Sequence, residues 1–289
     1  MNYKNKEWLN NMYNQYGSSY IAKLCEVDDS TIIYWLKKFN IKIRTRKESI
    51  NMTNARKHKL NESYFKNIDS REKAYWLGLL MADGTMREYR ENKFQLSLEL
   101  KEKDKYIIDL FNNAISSNYK VSIASNTHCH TKRARLIITN NKFSQHLLEK
   151  GIVPNKTGKE IFPDIQKEFY RDFIRGFFDG DGSIQFTKNN RVRSKFHLVS
   201  CSKIILNRIK EVLELDASVN FTEKSFHTKS GTDHIYELET STLTEIAKIY
   251  DYLYYDNCIC LKRKEYIFKE FLSYYKTSAR LIKRYSPTH

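Results

Sequence analysis

The sequence has few of the features that mark secreted, disulfide-bonded or membrane proteins. Its 5 Cys are an odd number and no Cys-x-x-Cys pair occurs, which argues against a disulfide framework and against a zinc site. His128-Cys129-His130 and Cys258-Ile259-Cys260 bring together too few ligands for zinc. No signal peptide precedes the Asn- and Lys-rich start, and no apolar run approaches the roughly 20 residues that span a bilayer. We therefore expect an intracellular, reduced protein without a membrane segment.

Basic residues are in clear excess. The chain of 289 residues has 50 Lys and Arg against 34 Asp and Glu, a formal charge of +16. Its 20 Tyr and 16 Phe lie in segments that look ordered, and the basic residues cluster on particular elements. This composition favours a folded protein that binds a polyanion over an ordinary basic enzyme, with one large core and a small accessory domain.

The accessory domain is predicted to be residues 1–43. Ala22, Val27 and Ile32 fall where a helix-turn-helix has one small and two buried apolar residues, and Asp29 or Ser30 would cap its recognition-type helix. We favour DNA binding here, with a plain structural cap as the alternative. The three predicted helices are residues 6–16, 19–25 and 30–39.

A basic linker is predicted over residues 44–67. Between residues 42 and 59 the composition is almost free of apolar side chains. It could be a solvated tether, but a polycationic tether would follow phosphates or a minor groove at little cost, and we favour that interpretation. The candidate DNA contacts in this segment are Arg44, Arg46 and Lys47.

One short phrase then occurs twice, WLGLLMADG at 76–84 and IRGFFDGDG at 174–182. Each copy predicts a helix that ends in a carboxylate, Asp83 or Asp181. The negative end of a helix macrodipole disfavours an acid unless a cation shares the site. Because this unfavourable placement of an acid occurs in both copies, it indicates a functional site.

Small residues predict that the two helices pack closely, which would bring Asp83 and Asp181 together around a shared metal ion. Gly84 and Gly182 are expected to end the helices in a left-handed conformation. The small residues with helical spacing are Gly78, Ala82, Gly176 and Gly180.

The halves 68–160 and 161–275 repeat one order: helix, two strands, helix, two strands, helix. This order predicts an α+β duplicated domain followed by a basic tail, 276–289. In the first half we predict helices at 71–83, 103–116 and 141–150, and strands at 94–100, 119–125 and 133–139. In the second half we predict helices at 166–181, 202–214, 242–254 and 262–275, and strands at 183–188, 193–200, 218–225 and 234–240.

Alternation in residues 191–198 places basic side chains on one strand face and apolar ones on the other. Arg and Asn on such a face can read base edges, whereas Lys mostly contacts phosphates. For any single residue, an ordinary solvated strand face is the alternative. The expected DNA contacts on the strands are Lys120, Arg133, Arg135, Arg191, Arg193, Lys195, His197 and Lys224.

The doubled phrase resembles the LAGLIDADG signature of homing endonucleases in its two-copy, single-chain form. The segment 151–184 is similar to the family's middle segment throughout, and the resemblance covers roughly residues 68–275. Met81 departs from the pattern, since the family usually has its first Asp there, but the acid at the eighth motif position is kept in both copies. The resemblance implies a pseudo-two-fold αββαββα core with saddle-shaped antiparallel sheets.

The resemblance also implies a mechanism in which Asp83 and Asp181 bind Mg²⁺, with Mn²⁺ as a substitute, and each half cuts one strand. A Lys near each site would stabilise developing charge. The candidates are Lys156 or Lys159 in one half, with Lys264 or Lys262 as the counterpart. Asp179, opposite Met81, is expected to serve the interface.

The expected partner is double-stranded DNA with a long asymmetric target, bound by a monomer because both halves belong to one chain. Intron RNA is the partner that the maturase alternative below would add. The alternatives are a non-catalytic transcription regulator, which retention of both aspartates disfavours, and an RNA maturase. The chain ends lack splicing residues, so an intein is not expected. We expect the protein in the cytoplasm of a bacterial or phage-infected host, or in an organelle.

Overall fold

The structure, a computed structural model, describes residues 2–46, 48–49, 58–125, 131–188, 193–215, 219–228 and 231–285. Side chains are described in these ranges except at 219–228, 231–234 and 278–285. Lys47, Asn126, His128-Cys129-His130, Arg191 and the side chain of Lys224 lie outside the described residues. The chain divides into two compact units, Met1–Lys59 and Leu60–His289.

The described part of the first unit is built around three helices, α1 (Lys6–Tyr16), α2 (Ser18–Leu24) and α3 (Asp29–Lys38), which follow a short 3-10 helix, Asn2–Lys4. Their shared core buries Leu9, Ile21 and Ile32, while Val27 is only half-buried. Asp28, rather than Asp29 or Ser30, takes the N-cap position of α3. The helix pattern is thus close to that predicted.

The second unit contains two copies of one arrangement. Each copy has a four-stranded antiparallel sheet, with strand orders β1-β2-β4-β3 and β5-β6-β8-β7. The repeated αββαββα order confirms the predicted duplicated α+β fold. The strands are β1 (Gly84–Arg90), β2 (Lys93–Lys101), β3 (Ser122–Ser125), β4 (Lys132–Ile138), β5 (Gly182–Thr187), β6 (Arg193–Ser200), β7 (Val219–Thr228) and β8 (Gly231–Thr240). The helices are α4 (Arg71–Asp83), α5 (Lys105–Ala114), α6 (Asn141–Glu149), α7 (Tyr170–Asp181), α8 (Lys203–Leu213), α9 (Leu243–Leu253) and α10 (Lys262–Tyr285).

Among the described residues, helices pack on one face of each sheet, and the side chains of the other face, here called the open face, are at least partly exposed. Along β2, Leu96, Leu98 and Leu100 are buried, whereas the residues between them are only partly buried. The central strand of the second sheet alternates in the same way, with Phe196 and Leu198 buried. A period of two that separates a core face from an open face fixes the register of both sheets.

Helices α4 and α7 pack with their backbones in contact. A Cβ atom built on Gly78 would lie 2.0 Å from the carbonyl oxygen of Phe173, and one on Gly176 would lie 2.0 Å from that of Tyr75. Only glycine fits at such distances. The two close approaches repeat the same contact with the helices exchanged, which is the symmetry expected of a duplicated domain.

Gly84 and Gly182 end these helices for a different reason from the one predicted. Their φ angles are −73° and −95°, so neither is left-handed. A Cβ on Gly84 would instead lie 2.4 Å from the carbonyl oxygen of Leu80, and one on Gly182 would lie 2.1 Å from the Phe178 ring. Close approach within the helix end, not a positive φ, requires glycine here.

Three further segments differ from the sequence prediction. Strand β1 was not predicted, because it is an edge strand in which Met86 supplies most of the apolar content. Within the predicted linker 44–67, Tyr64 and Phe65 are buried in the second unit's core. Helix α10 continues into the predicted tail as far as Tyr285, since no Gly or Pro interrupts it before Pro287. Among the described helices, none has both the length and the apolar character that a membrane span requires.

Candidate active site and open sheet faces

Asp83 and Asp181 are the last residues of α4 and α7, and the packing of these helices brings them into one environment. A Cβ on Gly180 would lie 3.1 Å from Oδ2 of Asp83, so this carboxylate lies against the last turn of α7. Burial, and then the charge of Asp83, raise the pKa of Asp181 to about 7. Burial also raises the pKa of Asp83, against the opposing charges of Lys264 and Lys156. The two acids therefore share a desolvated site with two cations.

Lys156 and Lys264 bind the C-terminal ends of the two helices. The Nζ atom of Lys156 donates to the carbonyl of Ala82 at 2.8 Å. The Nζ atom of Lys264 donates to the carbonyls of Phe178, Asp179 and Gly182 at 2.6, 2.7 and 2.5 Å. These ammonium groups offset the negative ends of the helix dipoles where the aspartates stand. They are the cations that the sequence argument required.

The alternative lysines in each half are placed differently. Lys159 is exposed, and its backbone N–H donates to the carbonyl of Lys156. Lys262 is also exposed and forms an ion pair with Glu265 at 3.1 Å. Between the candidates in each pair, the structure thus brings Lys156 and Lys264 to the aspartates.

The burial of these lysines changes their protonation. Desolvation lowers the pKa of Lys264 to about 8, although the surrounding aspartates oppose the shift. Desolvation also lowers the pKa of Lys156, against the charges of Glu160, Asp181 and Asp83. Both groups therefore release a proton more readily than an exposed lysine.

Asp179 joins the two helices and the loop before α10. Its Oδ2 atom accepts hydrogen bonds from the Tyr75 hydroxyl at 2.9 Å and from the backbone N–H of Leu261 at 2.7 Å. Burial raises the pKa of this carboxyl to about 6. Since Tyr75 belongs to α4 and Asp179 to α7, the contact has the interface geometry that the sequence suggested.

Glu160 is a site residue that sequence reasoning did not identify. It is buried, its Oε2 atom has no hydrogen-bond partner among the described residues, and its charge raises the pKa of Asp181. Burial likewise raises the pKa of Glu160 itself. A single acid at the end of the segment 151–160 carries no spacing signal, so only the fold reveals its proximity to Lys156.

The open face of the first sheet presents the predicted basic residues. Arg133 and Arg135 are exposed on β4, and both form ion pairs with Glu99 of β2. Lys120 is exposed just before β3. An acid therefore lies between the two arginines, and the face is not uniformly cationic.

The open face of the second sheet is also mixed in charge. Arg193 is exposed, Lys195 forms an ion pair with Glu239, and Nε2 of His197 lies 3.5 Å from Glu237. Oxygen and nitrogen atoms of His197, Glu237 and Glu239 approach within 4.8 Å of one another. The predicted alternation along β6 is present, but two glutamates on β8 oppose its basic residues.

In the first unit, Arg44 is partly used by the fold. Its backbone N–H donates to the Tyr13 hydroxyl at 3.0 Å, and its guanidinium lies 4.5 Å from the centre of the Tyr13 ring. Arg46 is exposed. Elsewhere, Cys258 and Cys260 are buried free thiols in the loop before α10.

Comparison with known proteins gives a match to part of the chain. A family model described as a LAGLIDADG-like domain matches residues 168–253. No curated protein matches the chain.

Several solved structures are similar. The I-LtrWI LAGLIDADG homing endonuclease bound to target DNA is 16% identical, with a TM-score of 0.45 over 75% of this chain and 92% of that one. The LAGLIDADG meganuclease I-CpaMI bound to uncleaved DNA is 12% identical, with a TM-score of 0.48 over 73% and 94%. The homing endonuclease I-WcaI bound to its DNA recognition sequence is 14% identical, with a TM-score of 0.45 over 72% and 91%.

The matched segment begins just before α7 and ends with α9, so it contains the second copy of the doubled phrase and the whole second sheet. This agrees with the sequence, in which Met81 makes the first copy depart from the family pattern. Over residues 168–253 the chain is similar to a LAGLIDADG-like domain.

Proposed function

We propose that this chain is a site-specific double-strand DNA endonuclease that requires a divalent cation and cuts one strand with each half. The observation that carries the proposal is the convergence of Asp83 and Asp181 at the ends of two packed helices, each end bound by a lysine. Two carboxylates held in a desolvated site, one raising the pKa of the other, are a costly arrangement unless a cation joins them.

The donor set fits a hard divalent cation. Asp83 and Asp181 offer carboxylate oxygens, the ligands that Mg²⁺ prefers, and Mn²⁺ accepts the same ligands. When bound, the cation would neutralise charge on the scissile phosphate and lower the pKa of the attacking water. Glu160, with its unpartnered oxygen close to Asp181 and Lys156, adds negative charge to one side of the site.

The two lysines have different roles in this proposal. Lys264 donates all three of its N–H bonds to carbonyls at the end of α7, so it acts through its charge and by holding Asp181 in place. Lys156 donates one bond, to Ala82, and keeps N–H groups that can contact a phosphate oxygen. Asp179 and Tyr75 keep the helix ends in register.

The substrate is proposed to be a long asymmetric duplex lying along the open faces of the two sheets. The faces carry exposed Arg133, Arg135 and Arg193, and the excess of basic residues favours a polyanion. Because the two halves bear different side chains, their half-sites need not be symmetric, and one chain suffices for both cuts. We propose a monomer that acts inside the cell in the homing of an intron or another mobile element.

The first unit is proposed to be a helix-turn-helix module that adds DNA contacts outside the main site. Ala22 and Ile32 are buried at the positions that the motif requires. Glu26 adopts φ 54° in the turn between α2 and α3, a left-handed conformation that usually favours glycine. The exposed side of α3 carries Tyr34, Lys37 and Lys38, which can reach a groove and its phosphates.

The test is cleavage and binding by Asp83→Asn and Asp181→Asn. A duplex enriched from a random library by the wild-type protein in Ca²⁺ serves as substrate, and Mg²⁺ then starts the reaction. We expect each substitution to abolish double-strand cleavage and to change affinity in a gel shift by no more than about threefold, because the acids hold metal rather than base edges. Asp164→Asn, on an exposed loop, is the matched control and should cut normally.

Near-normal cutting by either active-site variant would disprove the catalytic assignment. Sequence-specific binding by a wild-type protein that cuts in neither Mg²⁺ nor Mn²⁺ would point to a regulator instead.

A further inference from the structure

The two sheets can be compared position by position because their registers match. In the first sheet, Leu98 of β2 lies opposite Leu136 of β4. In the second sheet, Leu198 of β6 lies opposite Leu238 of β8. Gly84 and Gly182, which directly follow the two aspartates, pair with Leu98 and Leu198. Leu98 therefore corresponds to Leu198, and Leu136 to Leu238.

This correspondence reveals a reversal of charge on the open faces. Arg135, next to Leu136, corresponds to Glu237, next to Leu238. On the other side of the leucines, Ile137, which is exposed and follows Leu136, corresponds to Glu239, which follows Leu238. At two equivalent positions, an arginine and an apolar residue in one half are therefore replaced by acids in the other.

The two glutamates lie in the middle of the open face, not at its edge. Glu239 forms an ion pair with Lys195, and Glu237 lies 3.5 Å from Nε2 of His197. The Lys195–Glu239 pair is partly exposed to solvent, and such a pair contributes only about 0–1 kcal/mol, so stability alone is a weak reason for it. On a protein with a formal charge of +16, acids at the centre of a surface that faces phosphates would oppose binding unless they contact something else.

The chemistry of carboxylates restricts what that contact can be. An ionised carboxylate only accepts hydrogen bonds. In the major groove, the base donors are the amino groups of cytosine N4 and adenine N6, and glutamate is suited to cytosine. Arginine, at the equivalent place in the first half, is suited to the O6 and N7 acceptors of guanine.

We propose that Glu237 and Glu239 determine base preference in the half-site of the second sheet by accepting hydrogen bonds from base amino groups, chiefly cytosine, while Arg135 reads guanine in the other half-site. This inference rests on the proposed function. Lys195 holds Glu239 in position and offsets its charge, and His197 lies beside Glu237. The asymmetry of the target then follows from the charge reversal between Arg135 and Glu237.

The experiment is selection of a random duplex library with the full-length chain in Ca²⁺, repeated with Glu237→Gln and Glu239→Gln. Gln is isosteric with Glu but donates as well as accepts, and it is suited to adenine N6 and N7. We expect each variant to move one position in one half-site from cytosine towards adenine, with roughly 5- to 100-fold weaker binding of the original duplex. Arg135→Gln is the matched control and should change a guanine position on the opposite flank only.

The outcomes separate the inference from the proposed function. If the wild-type protein enriches no sequence, the proposed function fails. If it enriches a sequence and both Glu variants keep the same preference, the inference is overturned. It is equally overturned if the variants bind all duplexes more tightly without a change of preference, since the glutamates then act only as charges. A change that occurs only with added Zn²⁺ would make His197, Glu237 and Glu239 a metal site and would also overturn it.

Discussion

At the scale of single residues, Lys156 and Lys264 lie at equivalent helix ends in the two halves but differ in burial and in the number of hydrogen bonds they donate. Lys264 is almost completely buried and donates to three carbonyls, whereas Lys156 is half-buried and donates to one. A buried carbonyl that loses its donor is costly, because no water replaces the hydrogen bond. Lys264 therefore carries more of the stability, and Lys156 is freer to act on substrate.

Lys264→Met should lower the free energy of unfolding by about 2–4 kcal/mol, since three carbonyls lose their donor. Lys156→Met should lower it by less than about 1 kcal/mol while reducing the cleavage rate at least tenfold. Urea unfolding and single-turnover cleavage at saturating protein measure the two effects. Equal destabilisation by both substitutions, or full cleavage by Lys156→Met, would contradict this division.

Asp181 gives a stability prediction that depends on pH. Its pKa of about 7 in the folded protein exceeds the value of 3.8 expected when unfolded, because of burial and the charge of Asp83. The folded state therefore binds the proton more tightly, and its contribution to stability, complete below about pH 4, is lost as the pH rises through 7.

Asp181→Asn removes this loss. In EDTA at pH 8 the free energy of unfolding of the variant should exceed that of the wild type by about 2 kcal/mol. This is less than the whole shift from 3.8 to about 7 would give at about 1.36 kcal/mol per pKa unit, because the carboxylate is partly exposed. The difference should shrink towards pH 4. Thermal melts across this range decide the matter, and a variant that is less stable at pH 8 would show that the charged form is not disfavoured. Asp164→Asn again serves as control.

Sequence patterns revealed some of these residues and not others, for a physical reason. The doubled phrase identified Asp83 and Asp181, and their unfavourable position at helix ends required nearby cations. Which lysines fill that role depends on loop paths, so Lys156 and Lys264 could be named only among alternatives. Glu160 has no pattern at all, since its proximity to the site results from the folding of the segment before α7.

At the scale of elements, the pairing of α4 with α7 controls how far apart the two aspartates stand. Alanine normally favours helix over glycine by about 1 kcal/mol. At Gly78 and Gly176 the added Cβ would come within 2.0 Å of a carbonyl of the partner helix, a distance at which backbone must move. Repulsion therefore outweighs helix propensity here.

Gly78→Ala and Gly176→Ala should each destabilise the second unit by about 1–3 kcal/mol, the usual cost of overpacking, and should reduce cleavage as the aspartates separate. Asn113→Ala is the control, because Asn113 is exposed on α5 of the same unit and a shorter side chain there meets no backbone. Calorimetry and the cleavage assay give the readouts. A helix-stabilising effect at either interface glycine would mean that the helices pack less closely.

Helices and central strands were predictable because their apolar residues repeat with a clear period. Edge strand β1 was not, since most of its side chains are exposed and polar. The glycines that end α4 and α7 were identified correctly as necessary, but the predicted left-handed backbone was wrong. Steric contact with Leu80 and Phe178 requires them, and such contact has no signature in sequence alone.

At the scale of the whole molecule, the boundary between the two units decides how they can be separated. The predicted linker extended to residue 67, yet Tyr64 and Phe65 are buried in the core of the second unit. Two aromatic residues after a long basic run were easily taken for part of the tether. A truncation after residue 66 would therefore remove core side chains, whereas one after Lys59 respects the boundary between units.

Deleting residues 1–59 tests whether the first unit binds DNA. We expect weaker binding and a smaller salt dependence, because each lost phosphate contact removes about 0.9 from the slope of log affinity against log salt. The footprint should shrink on one flank only, since this unit occurs once. Cleavage at saturating protein should persist, because Asp83 and Asp181 remain with their lysines.

Gel shifts at several salt concentrations, together with footprinting, measure these changes on the selected duplex. Deleting residues 1–66 is the matched comparison. It should unfold the second unit, because removing Phe65 and Tyr64 leaves cavities in the core that lower the free energy of unfolding by several kcal/mol. If the shorter truncation leaves affinity, salt slope and footprint unchanged, the three helices are a structural accessory. The +16 charge would then act on DNA through the second unit alone.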